Sequence, residues 1–188
     1  MKKVIITIHY DSVRDRAKEL IANIAQKIEL SGLAGAYDRI VNVDEEDDLL
    51  DKWMSQAAID LKNITGRWLS SYTYTENAAD IPQVEIERED DITIPEPEEE
   101  CKKKYYCYTL LMPENWINLS DELQSKMSEY MVYLIVKEWM KMVQATDQVQ
   151  IYDNDLTVVQ INILTVLQQR SRPFRHIKIN KDVWIEED

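Results

Sequence analysis

Residues Val43 to Tyr72, VDEEDDLLDKWMSQAAIDLKNITGRWLSSY, constrain this chain more than any other stretch. Leu50, Trp53, Met54, Ala57, Leu61, Ile64, Trp68 and Tyr72 recur at steps of three and four, which sets them on one stripe of an α-helix. Five consecutive carboxylates, Asp44 to Asp48, open the stretch. They stand where the helix macrodipole favours negative charge, and Asp44 or Asp47 can cap free backbone N–H groups. A stripe this apolar must be buried, so the helix requires partners. Gly66 falls inside the pattern, where it costs about 1 kcal/mol against Ala and marks a kink or a close backbone approach.

The other elements follow the same logic. Lys3–Tyr10 (KVIITIHY) is rich in β-branched residues and predicts a short strand. Asp11 and Ser12 then cap a helix marked by Val13, Ala17, Leu20, Ile21, Ile24 and Ile28, which closes at Ser31-Gly32. From Thr73 to Met112 the helical rhythm breaks. Val84, Ile86, Ile92 and Ile94 alternate with polar residues, and Tyr105–Leu111 is aromatic and β-prone. These predict a β-hairpin arm over about residues 83–94 and 104–111. Ser120 caps a second strong helix bearing Leu123, Met127, Tyr130, Met131, Leu134, Ile135, Trp139 and Met142. Asp153-Asn154-Asp155 caps a last apolar segment, Leu156–Gln169, whose β-branched content suits a strand and whose length and cap suit a helix; a helix is expected. Basic residues after it, Arg170, Arg172 and Arg175, suit a negative helix end. Phe174–Ile179 alternates as a final strand, able to pair with the first strand or with a neighbouring subunit.

The expected fold is therefore mainly α, a helical bundle of about four helices with a β-hairpin arm and short terminal strands. Residues 1–72 hold the N-terminal strand and the first two bundle helices. Residues 73–112 form the acidic arm or insertion, 113–172 the last two bundle helices, and 173–188 a C-terminal strand and docking tail, all within one domain.

Composition narrows the functions. With 188 residues, 45% of them hydrophobic, the chain can build a real core. The formal net charge is −13, a surface that repels a phosphate backbone and argues against sequence-specific nucleic-acid binding and against docking on anionic lipid. Such a surface still lets nucleic acid slide past. Cys101 and Cys107 make no disulfide framework and no CxxC motif, and are expected as reduced thiols. No apolar run approaches the roughly 20 residues of a membrane span, and the N-terminus lacks the pattern of a signal peptide. A protein made and kept in a reducing cytoplasm, or built into a particle there, is expected.

No catalytic motif stands out. His9 and His176, the only histidines, have no metal-ligand spacing around them. The Asp44–Asp48 run could hold Mg²⁺, but such sites draw carboxylates from separate elements. GxSxG, P-loop and GxGxxG patterns are absent, and three glycines cannot build a phosphate cradle. No enzyme, no cofactor and no metal are expected. Glu85, Glu87, Glu89, Asp90, Asp91, Glu96, Glu98, Glu99 and Glu100, against the single Arg88, make a segment of net −8: a solvated loop, an acidic lining, or a dock for a basic partner. Trp53, Trp68 and Trp139 lie on helix stripes and belong in the core, whereas Trp116 and Trp184 lie outside the strong helices, where large aromatics serve as interface anchors or pack as satellites of the core.

Two stretches carry a resemblance. DEEDDLLDKWMSQAAIDLKNITGRWL, Asp44–Leu69, has an acidic run, a Leu pair, Ala-Ala in mid-helix and a bulky end near Gly. MPENWINLSDELQSKMSEYMVYLIVKEWM, Met112–Met140, has a Pro-led turn before a helix of paired aromatic and aliphatic residues. Together they resemble the head–tail connector, or adaptor, proteins of tailed bacteriophages and prophages. The resemblance implies a homo-oligomeric ring of about twelve copies closed by repeated lateral contacts, seated on the portal protein beside other neck or tail proteins. DNA would pass through without specific binding. It implies a virion protein of the neck, assembled in the host bacterial cytoplasm, with no membrane partner. The acidic segment would line the channel or meet the next ring. Residues 170–188 would be the docking tail, with Arg170, Arg172, Phe174, Arg175, Ile177, Ile179 and Trp184 at the interface. The chain is longer than typical members and its link between the two helices is extended, which leaves connector, stopper and tail-completion rings as alternatives. An acidic inhibitor that mimics DNA also accounts for the charge, and an enzyme with a dispersed carboxylate site around Asp47 and Asp48 is a third reading.

Overall fold

A computed structural model describes residues 1–30, 43–76, 80–82, 104–143 and 146–171. The chain runs β1 (Lys2–His9), α1 (Tyr10–Leu30), α2 (Val43–Thr65), β2 (Leu69–Thr75), β3 (Tyr105–Met112), α3 (Ser120–Met142) and α4 (Thr146–Gln168). Strand β1 passes into α1 without a loop. Val13, Ala17, Ile21 and Ala25 then form the buried edge of α1, each four residues after the last.

The helical bundle with an appended hairpin is corrected by the sheet. Four helices do form, but they share one core with a three-stranded antiparallel sheet of order β1-β3-β2. The expected pairing of residues 83–94 with 104–111 fails for a geometric reason. Strand β3 has two edges, and both are occupied: Ile6 and Ile8 of β1 face Tyr108 and Tyr106, while Tyr72 and Tyr74 of β2 face the same two residues from the other side. Residues 83–94 themselves lie outside the described residues, as do residues 31–42 and the expected strand Phe174–Ile179.

The organising helix is also shorter than its apolar pattern. Instead of continuing to Tyr72, α2 ends at Thr65, whose Oγ1 donates to Leu61 O at 2.8 Å. A tight turn follows, with Trp68 N–H donating to Thr65 O at 2.8 Å. A Cβ on Gly66 would lie 3.2 Å from Asn63 O, so the close approach expected at this glycine is to the last carbonyls of its own helix. Beyond the turn, Tyr72 and Tyr74 alternate with Thr73 and Thr75 at the period of a strand. Pairing with β3 begins at Leu69, opposite Leu110, and its register shifts between Leu69 and Ser71.

Helix α3 occupies the centre. Leu123, Met127, Tyr130, Met131, Val132, Leu134, Ile135, Val136, Trp139 and Met140 are buried, which is far more than one stripe. A helix apolar most of the way round is covered on several sides, and α3 packs against α1, α2, α4 and β1. Ser120 is its first residue rather than its cap: Leu119 holds that position without a side-chain cap, and Leu123 N–H donates to Leu119 O at 2.9 Å. Helix α4 begins at Thr146, so Asp153–Asp155 lie within it and do not cap it. Leu156, Val159, Ile163, Val166 and Leu167 face the core, which resolves the segment Leu156–Gln169 as helix.

Candidate functional site

Between the sheet and α2 lies a layer of tyrosines. Tyr72 stands 5.1 Å from Tyr108 and 6.5 Å from Tyr106, ring centre to ring centre, and Tyr74 stands 5.2 Å from Tyr106. Tyr108 OH donates to Ala58 O at 3.2 Å, and Tyr10 OH donates to Asp51 Oδ1. Burial, with the neighbouring Tyr74 and Cys107 adding to it, pushes the Tyr72 phenol up to about 12. Burial likewise raises Tyr106 and Tyr108. These phenols stay neutral near pH 7 and work as structural hydrogen-bonding groups. The Cys107 thiol on β3 is buried and its pKa is raised for the same reason, partly offset by its hydrogen bond with Thr7. A raised pKa withholds the reactive thiolate. His9 is exposed on β1 and meets the Tyr105 ring edge-on at 4.9 Å.

A cleft of about 620 Å³ opens between α2, α3 and α4, lined by Trp53, Tyr130, Leu134 and Leu156 together with paired polar groups. Lys137 of α3 forms an ion pair with Asp153 of α4, and Gln56 Nε2 donates to Asp60 Oδ1 at 3.0 Å. Burial, then the Asp60 charge, pushes Tyr130 up to about 12. The cleft therefore offers no phenolate near neutral pH. Among the described residues, no group of three or more His, Cys, Asp or Glu is placed to hold a metal, and no helix is long and apolar enough to cross a membrane.

The segment between β3 and α3 clamps the end of α4. Trp116 forms an isolated antiparallel bridge with Arg170, and its indole Nε1–H donates to Val166 O at 2.9 Å. Ser171 N–H donates to Asn115 O at 2.7 Å, and Arg170 Nη1 donates to Leu167 O at 2.8 Å and Gln169 O at 2.9 Å. The last carbonyls of a helix lack intrahelical partners, and here an indole and a guanidinium supply them. Two residues expected at an interface are thus committed within the chain: Trp116 is only 4% exposed, and Arg170 caps α4. Burial of Trp139 agrees with its place on a helix stripe, while Trp53 and Trp68 are half-buried against the core. The other expected interface residues, Arg172, Phe174, Arg175, Ile177, Ile179 and Trp184, lie outside the described residues. So do all nine acidic candidates: Glu85, Glu87, Glu89, Asp90, Asp91, Glu96, Glu98, Glu99 and Glu100.

The surface that sequence reasoning missed is the solvent side of α4. Ile151, Val158 and Ile161 are 57%, 55% and 56% exposed, and their spacing of seven and three keeps them on one face. From Leu156 to Gln169 the helix carries no charged residue. At the chain's average of 30% charged residues, about four would be expected there, and depletion of charge is what distinguishes interface cores from ordinary surface. The signal lay in the sequence as a missing residue class and becomes readable once the segment is known to be a helix with a solvent side.

Among the described residues, fold and surface define an α+β unit with the Tyr72, Tyr106, Tyr108 and Tyr130 phenols held neutral near pH 7 and an uncharged run from 156 to 169 along α4. Comparison with protein-family models, with curated proteins and with solved structures gave no match.

Proposed function

We propose that the chain is a structural, self-associating subunit of a ring at the neck of a tailed phage, lying between portal and tail, with DNA passing through its centre. The observation that carries this reading is that the two stretches resembling connector proteins become α2 and α3, and that these helices pack directly on each other. The reading rests on that helix pair and not on the sheet, in which the chain departs from the bundle that the resemblance implies. The net charge of −13 supports passage of DNA without capture.

Negative-stain electron microscopy of the purified chain, alone and mixed with a portal ring, tests the proposal. The expected image is a closed ring, free or seated on the portal. A chain that stays monomeric in both samples, or that is retained on immobilised duplex DNA at physiological salt, overturns it.

A further inference from the structure

We infer that the cleft between α2, α3 and α4 receives the guanidinium of an arginine side chain presented by another protein. The inference goes beyond the ring reading and does not depend on it. Helices α2 and α4 each pack on α3 and touch one another only slightly, so α3 floors a groove whose walls are the other two helices. At about 620 Å³ the groove holds such a side chain together with the backbone that carries it.

Sorting the charged groups of the groove by partner shows what is missing. Lys137 is paired with Asp153, and Glu138 is paired with Lys141 at 2.6 Å. Asp60 is half-buried, and among the described residues it accepts from the neutral Gln56 amide and pairs with no cation. Tyr130 lines the same space. It is only 8% exposed, and among the described residues its hydroxyl makes no hydrogen bond. Buried polar groups are rarely left unpaired. A carboxylate without a cation and a phenol without a partner, lining one cleft, mark the position of a group supplied from outside.

The chemistry of that group follows by comparison. An anion would meet the Asp60 carboxylate. A neutral hydroxyl or amide would bond both residues but leave a half-buried charge uncompensated. A metal ion needs several oxygen ligands, and among the described residues no group of three is placed to supply them. An organic cation satisfies the site, and a chain of net charge −13 concentrates cations around it. A guanidinium suits it better than an ammonium. It sheds water more readily, its fork of N–H donors serves the Asp60 carboxylate and the Tyr130 oxygen together, and it stacks on an indole such as the half-buried Trp53. Its aliphatic stem lies along Leu134 and Leu156. Lys52 also lines the groove, but it is exposed and stands eight residues before Asp60, about 12 Å away along α2. Gln56, Thr157 and Gln160 are exposed at the mouth, so the groove encloses a free small molecule poorly and suits a side chain held in place by a larger partner.

The test is a titration of the ¹⁵N-labelled full chain followed by ¹H–¹⁵N NMR, with N-acetyl-arginine amide as the probe. Amides of residues 53–60, 130–138 and 156–160 should shift, with a Kd of about 1 mM. N-acetyl-citrulline amide, which keeps the shape and lacks the charge, should leave the spectrum unchanged. Raising salt from about 20 mM to about 500 mM should weaken arginine binding several-fold. Asp60→Asn should weaken it about tenfold or more, and Tyr130→Phe a few-fold, because each removes one partner of the guanidinium. Lys52→Gln should not weaken it. Far-UV circular dichroism and thermal midpoint at pH 7 should match wild type in all three variants, since the deleted groups face the cleft. Absence of shifts up to about 20 mM probe, shifts centred outside the cleft, equal binding of the citrulline probe, or full affinity in Asp60→Asn overturns the inference. Spermidine that binds more tightly than the arginine probe overturns the assignment to a protein side chain. None of these results alters the ring reading, which the electron microscopy decides separately.

Discussion

Trp116 takes the second of the two roles open to a large aromatic outside the helices, packing within the chain rather than standing exposed as an interface anchor. Its ring is buried and its Nε1–H donates to Val166 O, bracing the end of α4 against the segment that leads into α3. Truncating a buried Trp to Ala costs about 3–5 kcal/mol. In a chain of this length each kcal/mol moves the thermal midpoint by about 2–4 °C, so Trp116→Ala should lower it by roughly 6–20 °C. Trp116→Phe isolates the polar part. Val166 O also accepts Gln169 N–H at 3.3 Å, so the carbonyl is not stranded when the indole leaves. The hydrogen bond then contributes about 1 kcal/mol and its loss lowers the midpoint by about 2–4 °C. Urea denaturation followed by circular dichroism, at concentrations where the chain is monomeric, measures both variants. The reasoning fails if Trp116→Ala leaves the monomer's denaturation midpoint unchanged while reducing the mass of the oligomer, because that is how an exposed anchor behaves.

Removing the hydroxyl in Tyr108→Phe deletes its bond to Ala58 O and should cost about 0.5–1.5 kcal/mol in the same urea assay; an unchanged midpoint would show that the sheet-to-α2 hydrogen bond contributes nothing. Alkali should unfold the protein between about pH 10 and pH 12. Tyr72 and Tyr130 keep their protons to about 12 when folded but release them near 10 when unfolded, so their contribution is intact below pH 10 and declines as pH rises through 12. Tyrosinate absorbance recorded with circular dichroism tests this, and complete titration by pH 10.5 with the fold intact would contradict it. In a Cys101→Ser background, Cys107 should react with a maleimide far more slowly in the native protein than in urea, since it is buried as a neutral thiol. Equal labelling rates in the two states would place it at the surface.

Much of the architecture was legible from local pattern. The β-branched run of β1 and the apolar spacing of α1 and α3 each state their own period, because a strand or helix that buries one side must repeat its apolar residues at that side's geometry, whereas α4 was expected as a helix from its length and from a cap, Asp153–Asp155, that lies inside the helix. The sequence was silent or misleading where two periods coincide. Leu61, Ile64, Trp68 and Tyr72 fit a helix, while Tyr72 and Tyr74 fit a strand, and only pairing with β3 decides between them. The candidate surface was hidden for a related reason. Val158 and Ile161 look like core residues in an apolar segment until the partners of α4 are known.

What the chain determines by itself is the set of local elements, the acidic balance and the absence of charge from 156 to 169, since these depend only on residue identity and spacing. Tertiary structure alone decided that β3 is flanked on both edges, that α3 rather than α2 is the hub, and that Trp116 and Arg170 close α4. Each of these joins residues tens of positions apart. A hydrogen-bonding edge or a buried side is settled by whichever distant segment reaches it, and no local period records that outcome.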